Sequence, residues 1–314
     1  MLKRSRPAVD EAIAPAHGVT REGQPLSYNR APAPDLAPWI GRLYLTDVTA
    51  PADHVLECGL FSDTAMIRLQ LSGQWVADTA DGVQHNSRAA LFFGPQSRRM
   101  PITVTGSFFS IGCALRPGTG HAVAGANATD FLNRIVPCDS LGIPGTAALD
   151  AIEQVADPDA RLLAMENLIR QVLLRPGVAE PDPVTARFEI LAFTDPSASI
   201  AEFAADYGIT QRQLERIVRR DFGMAPKQVL RRARALDMAS HLRGVADQAE
   251  AEELILRYYD QSHLIREFTQ MFGMSPTQFV KRPQPILTLA LESRQARRLE
   301  LIERLPPGAR RPWL

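Results

Sequence analysis

The sequence predicts an α+β protein of two domains, a β-sheet domain followed by an all-α domain in which one helical unit occurs twice. Three observations support this fold class. The length of 314 residues suggests two domains. Short β-branched and apolar runs fill residues 38–115, and a sequence segment recurs fifty positions apart near the C-terminus.

The repeated segments are residues 222–228 and 272–278. Phe, Gly, Met, Pro and Gln recur in register, and the match continues upstream, where Leu214 aligns with Leu264 and Arg216 with Arg266. Internal similarity of this kind indicates that one supersecondary unit was used twice.

The first copy reads as a helix, a tight turn and a second helix. Ser199 can cap a helix over residues 200–206, with Glu202 at the capping-box position. Gly208 suits the left-handed conformation of a turn, and Thr210 can cap the second helix, which ends at Phe222. The pattern is a helix-turn-helix.

Charge is concentrated in this unit. Residues 207–234 hold eight Lys/Arg and two Asp/Glu, whereas the whole chain is neutral. Such a local excess indicates a phosphate-facing surface. Helix pairs with arginines also occur in all-α proteins that bind no DNA, but two copies favour DNA binding. A linking helix over residues 227–242 would be about 24 Å long, against about 34 Å between successive major grooves on one face of the duplex.

Residues 188–281 resemble the DNA-binding domain of the AraC/XylS family of bacterial transcription regulators. The first unit carries this resemblance through Ala204, Gly208, Leu214, Arg216, Phe222, Gly223 and Pro226. The second carries it through residues 259–263, Arg266, Phe268, residues 273–276 and Phe279. The family implies two recognition helices that read adjacent major grooves.

Carried over position by position, the resemblance implies seven base-facing residues. They are Arg212, Glu215 and Arg216 in the first recognition helix and Gln261, Ser262, Ile265 and Arg266 in the second. Arg suits guanine O6 and N7, Gln suits adenine, and Ser suits phosphate or either base.

The second unit departs from the family pattern. Glu253 and Arg257 stand where the family usually has a small residue and then a glycine. Arginine in a left-handed turn costs about 1 kcal/mol relative to glycine. A one-residue deletion that shortens the turn is an equal alternative. In either case we expect the second unit to bind phosphate more than it reads bases.

The N-terminal part begins with residues 1–37, whose proline, alanine and charge predict a poorly ordered arm. Strands are then predicted at residues 43–48, 66–71, 74–76, 90–93, 102–104 and 108–115, with turns at Ser72-Gly73 and Asp81-Gly82. This spacing is typical of a small sandwich or barrel. Helices are predicted at residues 130–135, 147–155 and 160–174.

Residues 91–142 resemble the N-terminal ligand-binding or dimerisation domain of one branch of the same family. The residues that carry this resemblance are Gly94, Pro95, Gln96, Gly106, Gly112, residues 115–118, Phe131 and Leu141. The resemblance implies a cupin-like β-barrel followed by helices.

Metal or cofactor chemistry is not expected in such a barrel. His54, His85 and His121 stand alone, without the ligand spacing that a metal site needs. Six aromatic side chains either line a pocket for a small effector or form the core; they are Trp39, Trp75, Phe92, Phe93, Phe108 and Phe109. Arg116 is either an anion anchor or, more in keeping with its position before Pro117, a salt-bridged structural residue.

Four segments follow: a flexible arm, 1–37; a ligand or dimerisation domain, 38–180; a DNA-binding domain, 181–282; and an amphipathic helical tail, 283–314. The apolar stripe at 160–174 either forms a homodimer or packs on its own barrel. The tail either docks on the DNA-binding domain or extends its basic surface.

The sequence contains no apolar run long enough to cross a membrane and no signal-like core, and its three cysteines show no metal-site spacing. We therefore expect a cytoplasmic protein. The resemblance implies a sequence-specific regulator of promoter DNA that responds to a small effector and contacts RNA polymerase if it is an activator. No enzyme motif is present. A dual-role protein, in which a methyl-accepting thiol precedes this kind of DNA-binding domain, would need a cysteine cluster near the N-terminus, and no cysteine precedes Cys58. The alternative is an accessory DNA-binding or interaction protein with a degenerate second helix-turn-helix and no effector.

Overall fold

The structure is a computed structural model that describes residues 6–247, 261–306 and 308–314. A sheet-rich N-terminal part is followed by helices, which confirms the predicted α+β class. The strands are β1 (Ala14–Pro15), β2 (Tyr28–Arg30), β3 (Ile40–Thr49), β4 (Val55–Leu60), β5 (Met66–Thr79), β6 (Gly82–Asn86), β7 (Ala89–Phe93), β8 (Met100–Leu115) and β9 (Ile135–Pro137).

These strands form one antiparallel sheet. Its order is β1-β3-β8-β5-β7-β9, with β2 beside β3, β4 beside β8 and β6 beside β5. Within the described residues β1 and β9 do not pair with each other, so the cupin-like barrel is an open sheet and not a closed cylinder.

Two strands are longer than the sequence predicts. The predicted turn at Ser72-Gly73 lies inside β5, where the register with β8 shifts and Gly73 has φ of +96°. A bulge of this kind lets a strand bend and continue, so two predicted strands are one. Likewise β8 continues through Gly106, at φ of +73°. The turn predicted at Asp81-Gly82 lies between β5 and β6, one residue earlier, at Ala80-Asp81, and Gly82 begins β6.

Successive side chains of a strand point to opposite sides of the sheet. Both faces of the central strands are buried, each by a different set of helices. On one face Ile67, Leu69 and Ile111 join a core cluster with helices α2 (Gly145–Glu153) and α3 (Pro158–Leu173). Met66 and Arg68, on the other face of β5, point toward a helix from the far end of the chain.

That helix is α10 (Pro285–Leu301), predicted as an amphipathic tail. It is buried on nearly every side, and Ile286, Leu287 and Leu291 join the second core cluster. The same cluster contains Trp75 of the sheet and Phe268 of the helical part. The C-terminal segment therefore joins the two halves of the protein, and neither of the two docking modes predicted for it describes this position fully.

The N-terminal arm differs from its prediction as a flexible segment. In the described residues of the arm, β1 and β2 pair with β3, and Leu36 is 1% exposed. Asn29 donates a hydrogen bond of 2.7 Å to Glu292 of α10. Some partners of the arm, such as Glu292, lie more than two hundred residues away in sequence, and composition alone does not reveal them.

The remaining helices are α1 (Thr119–Ala124), α4 (Pro183–Thr194), α5 (Ile200–Asp206), α6 (Gln211–Phe222), α7 (Pro226–Leu242), α8 (Gln261–Phe272) and α9 (Pro276–Lys281). Helices α2 and α3 agree with the predicted helices at 147–155 and 160–174. The predicted helix at 130–135 is instead a 3-10 helix, Ala128–Phe131, followed by β9. No helix in the described ranges has the length and apolarity needed to span a bilayer.

Candidate functional site

The repeated sequence signature specifies the same helix–turn–helix junction twice. Phe222 and Phe272 end α6 and α8 as buried side chains, and the following Gly223 and Gly273 adopt the left-handed conformation, at φ of +75° and +69°. Such a glycine is the usual C-terminal cap of a helix, because it carries no Cβ to clash.

The Pro and Gln of the signature start the next helix. Pro226 and Pro276 occupy the first turn of α7 and α9, where a missing N–H costs nothing. Gln228 Oε1 accepts a hydrogen bond of 3.1 Å from the backbone N–H of Ala225, and Gln278 Oε1 accepts one of 2.9 Å from Ser275. The recurrence of glutamine therefore has a capping cause.

The two helix-turn-helix units, residues 200–222 and the unit that ends with α8, are here called reading heads. The first is the helix-turn-helix that the sequence predicts. Ser199 caps α5 by accepting from the Glu202 N–H, and Gly208 turns the chain at φ of +62°. Thr210 and Gln213 form a reciprocal capping box at the start of α6. Leu214 and Val218 are both fully buried, which fixes α6 by one face and leaves the opposite face in solvent.

The predicted base-facing residues of α6 all lie on that solvent face. Arg212, Glu215 and Arg216 are exposed, and Glu215 also accepts a 2.8 Å hydrogen bond from Arg219 one turn later. Both side chains of this pair are about half exposed, so the contact stabilises their arrangement only weakly.

The equivalent residues of α8 are described in part. Ser262 and Arg266 are exposed, and Ile265 is 37% exposed. Gln261 is the first residue of α8, but its side chain lies outside the described residues. Tyr259, Asp260, Glu253 and Arg257 lie outside them as well, so the predicted departure in the second turn stays a prediction.

The eight basic residues counted between positions 207 and 234 divide into two groups. Arg212, Arg216, Arg219 and Lys227 are exposed. The other four contact protein groups: Arg220 pairs with Asp182 and Asp221, Arg231 and Arg234 pair with Glu267, and Arg232 donates to the carbonyls of Gln96 and Asp63. Local charge alone thus overstates the phosphate-facing surface by a factor of about two, as is expected when Arg also serves buried pairs.

Glu267 joins the two helical units, and sequence analysis did not identify it. It lies on α8, is 2% exposed, and accepts from Arg231 at 2.7 Å and Arg234 at 3.2 Å, both on α7. These contacts fix the second recognition helix on the linking helix. No sequence motif marks the pairing, because the partners are more than thirty residues apart.

The first recognition helix also contacts the N-terminal part. Asp221, near its end, accepts hydrogen bonds within the helical part, of 2.5 Å from Thr185 Oγ1 of α4 and of 2.6 Å from Arg220. The contact with the sheet domain is made by the next turn of the chain, at Gly223. A Cβ built on Gly223 would lie 3.0 Å from the carbonyl oxygen of Ala128, so the helix end rests against the 3-10 helix of the sheet domain.

A cavity, here called the interdomain cavity, opens at this contact. Ile67 and Phe92 line it from the sheet, His121 from α1, and Phe222 from the end of α6. His121 Nδ1 is buried there and contacts no hydrogen-bonding atom of the described residues. The cavity walls therefore include both halves of the protein.

A second cavity, here called the Arg68 cavity, lies on the other face of the sheet, under α10. Trp75 and Phe108 line it, so three of the six predicted aromatics, counting Phe92, contact a cavity. Trp39 and Phe93 belong to the core, and Phe109 packs beneath the guanidinium of Arg161. Arg116 pairs with Glu189 at 2.8 Å, which agrees with the structural interpretation.

The helix predicted as a dimerisation surface is used mainly inside the chain. Leu162, Met165, Ile169 and Leu173 of α3 are buried against the sheet. Leu163 and Leu174 are 52% and 48% exposed.

Within the described ranges no group of His, Cys, Asp and Glu is arranged to hold a metal ion. The three cysteines are buried thiols, and burial raises the pKa of Cys113 to about 12.

Two family models match the chain. Residues 203–282 match a helix-turn-helix domain, and residues 28–137 match a domain of unknown function, DUF6597. No curated protein sequence matches the chain. The chain therefore contains a helix-turn-helix domain at residues 203–282. More narrowly, its C-terminal part is an AraC-type helix-turn-helix domain, as the resemblance implied.

Solved structures with a similar arrangement were also found. ToxT from Vibrio cholerae, in a 1.65 Å structure, is 6% identical over 76% of this chain and 97% of its own, with a TM-score of 0.46. Wild-type ToxT of strain SCE256 with a bound unsaturated fatty acid is 8% identical over 87% of this chain and 96% of its own, with a TM-score of 0.43. The AraC-like transcriptional activator CuxR is 15% identical over 67% of this chain and 86% of its own, with a TM-score of 0.29.

Proposed function

We propose that this protein is a sequence-specific transcription regulator that reads promoter DNA with α6 and α8 and responds to a small effector through its N-terminal domain. The observation that carries the proposal is the equivalent position of Arg216 and Arg266. Each occupies the same place in a duplicated head and is exposed, while the opposite face of its helix is buried.

The side chains of α6 suit base reading in a major groove. Arg212 and Arg216 present guanidinium groups that can donate two hydrogen bonds to guanine O6 and N7. Glu215 can accept from cytosine N4. Arg219 and Lys227 are then left for phosphates, which supply affinity without sequence information.

The second head contributes Ser262, Ile265 and Arg266, together with Gln261. Helix α7 separates the heads and, with 17 residues, is about 25 Å long. The two heads then follow one face of the duplex, since the widths of the two units add to this length and bring it toward the ~34 Å between successive major grooves.

Effector binding in the N-terminal half has two candidate cavities, and the interdomain cavity is the one whose wall includes the end of α6. A ligand there would change the contact between the sheet domain and the first reading head. A homodimer through the exposed part of α3, contact with RNA polymerase by an activator, a cytoplasmic location and the absence of enzymatic activity complete the proposal. Sedimentation of the full chain at micromolar concentration tests the dimer.

The experiment for DNA binding begins with selection of the preferred sequence from a random duplex pool. Footprinting on that sequence should then show two protected patches about one helical turn apart. Arg216→Ala and Arg266→Ala should each lose affinity for it, whereas Arg88→Ala, on an exposed ion pair of the sheet domain, should not. If both reading-head variants bind as tightly as wild type, the assignment of bases to α6 and α8 is wrong.

A single protected patch would favour the alternative, an accessory DNA-binding or interaction protein with a degenerate second head and no effector. In that case Arg266→Ala should have no effect while Arg216→Ala still weakens binding. The two variants thus separate the two functions in one assay.

A further inference from the structure

The Arg68 cavity contains a buried guanidinium that has no carboxylate partner among the described residues. Arg68 lies on β5, is 6% exposed, and pairs in register with Gly112 of β8. Its Nε donates to Tyr44 Oη at 3.2 Å, and Nη2 lies 3.9 Å from Met66 Sδ. Its Nη1 is buried and reaches no acceptor among the residues described.

Aromatic rings surround the guanidinium. Its central carbon lies 5.8, 5.6 and 5.1 Å from the ring centroids of Tyr44, Trp75 and Phe93. Burial raises the pKa of Tyr44, so its hydroxyl is neutral at physiological pH and supplies no negative charge. Ring faces attract a cation, but they do not neutralise its charge.

The other arginines of the cavity differ from Arg68 in this respect. Each has a carboxylate partner: Glu300 for Arg42, Asp63 and Asp237 for Arg294, and Glu189 for Arg297. Arg68 pairs with no carboxylate in the described part of the chain. Buried charges are normally paired because an isolated one pays a large desolvation cost.

The shape and remaining chemistry of the cavity indicate what would complete the pair. Arg294 Nη2 is a second buried donor without an acceptor in the described residues. The opposing walls are apolar and come from Trp75, Phe108, Ile286 and Leu289. A polar end of unused cationic donors next to apolar walls suits a ligand that is itself anionic at one end and apolar at the other.

We propose that the Arg68 cavity binds a small organic carboxylate, with the Arg68 guanidinium as its counter-charge and the aromatic walls around its apolar body. The ligand carboxylate would accept from Arg68 Nη1 and approach Arg294. Gly112 leaves room beside the site: a Cβ there would collide with the Ile67 carbonyl oxygen and would lie 2.7 Å from Tyr44 Oη.

The site also has a route to the reading heads, and this step rests on the proposed function. Arg294 bridges Asp63 of the sheet domain and Asp237 of α7, at 2.8 and 2.5 Å. Helix α7 carries Arg231 and Arg234, which hold α8 through Glu267. A carboxylate that draws Arg294 toward itself weakens its hold on Asp237, so ligand and DNA should change each other's affinity by the same factor.

The test uses the full chain and measures thermal unfolding and calorimetric binding. The probes are benzoate and hexanoate at millimolar concentration, with benzamide and hexanamide as neutral matches. We expect a carboxylate to raise Tm while its amide does not. Arg68→Met should lose at least tenfold in carboxylate affinity, whereas Arg88→Met, which alters an exposed arginine paired with Glu153, should bind as wild type does.

A second variant, Ala290→Leu, keeps Arg68 and fills the cavity from α10, so it should also abolish the response. Equal responses to acid and amide, no response to either acid, or an unchanged response in Ala290→Leu overturns the site. DNA affinity is measured with and without benzoate. An unchanged value overturns the coupling to the heads, and a wild-type chain that binds no DNA overturns the proposed function while the Tm result still decides the site.

Discussion

Arg231 on α7 and Glu267 on α8 form an ion pair of 2.7 Å across the joint between the linking helix and the second recognition helix. Glu267 is almost fully buried, and Arg234 donates to the same carboxylate from the next turn of α7. Arg266, its neighbour in sequence, is exposed. The position of the second head is thus set by a carboxylate on one side of α8, and DNA would be contacted from the other.

Glu267→Gln should therefore disturb the second head. The substitution removes the negative charge between two arginines, and loss of a buried ionic partner of this kind costs about 3 kcal/mol before relaxation. We expect lower stability in urea and a loss of protection at one of the two DNA patches, with the other retained. Glu57→Gln, at an exposed position of β4, should change neither measurement. Equal weakening of both patches would contradict this role for Glu267.

Arg216 and Arg220 lie one turn apart on α6, but substitution of Arg216 should reduce DNA binding, whereas substitution of Arg220 should reduce stability. Arg216→Ala should weaken binding to the preferred sequence by about 1–3 kcal/mol and relax selection at one base pair, with little effect on unfolding. Arg220→Ala leaves Asp221 buried with its main cationic partner gone, so stability should fall by about 1–3 kcal/mol. Fluorescence anisotropy and urea unfolding of both variants check the contrast, which is lost if Arg220→Ala alone changes base selection.

Salt dependence should separate phosphate contacts from base contacts. Lys227 is exposed in the first turn of α7, beside the end of α6. If it contacts one phosphate, Lys227→Ala should reduce the slope of log K against log salt by about 0.9 and weaken specific and non-specific DNA equally. Lys281→Ala provides the comparison in the second unit, at the end of α9. A change in base preference with Lys227→Ala would contradict a phosphate role.

The sequence was sufficient to predict the reading heads because their signals are local. Ser199, Thr210 and Gly208 cap and turn the helices through groups at most four residues away, and each was predicted correctly. The same holds for Gly223 and Gly273, which close their helices in the two repeats.

Long-range pairing was not visible in the sequence. Arg294 reads as one more basic residue of a tail, yet it is 7% exposed and joins Asp63 to Asp237. In the sequence Arg68 is the polar position of an alternating strand and is expected to face solvent. In the structure its side chain faces a surface that α10 covers, from more than two hundred residues away. Alternation shows which side chains share a face, but it does not show what packs on that face.

The two capping glycines offer a matched pair of substitutions. Gly223→Ala and Gly273→Ala should each cost about 1 kcal/mol, because both residues have positive φ. At Gly223 the new Cβ would also lie 3.0 Å from the Ala128 carbonyl oxygen, whereas nothing lies within 4 Å at Gly273. Gly223→Ala should therefore be the more destabilising in urea unfolding, and it should loosen the contact between α6 and the sheet domain. Equal costs would show that this contact yields without strain.

The packed N-terminal arm should make stability depend on pH through Glu166 of α3. Burial by itself raises the pKa of this carboxyl, but hydrogen bonds from Arg30 and from the backbone N–H of Ala33, at 2.8 and 2.6 Å, outweigh it and hold the pKa below its usual value. A depressed folded-state pKa contributes stability above the unfolded-state pKa, near 4.3 for Glu, and that contribution is lost as the pH falls through the lower folded value.

Glu166→Gln should accordingly be less stable than wild type at pH 7, by about 1–3 kcal/mol, because two charge-assisted hydrogen bonds are weakened. The difference should shrink as the pH falls below about 4, since wild type then loses the same interaction. Urea unfolding at pH 7 and at pH 3.5 measures the difference, and limited proteolysis should show earlier cleavage near residues 30–33 in the variant. Glu57→Gln again provides the exposed control. A gap between Glu166→Gln and wild type that stays constant with pH would mean that the arm is held by packing alone.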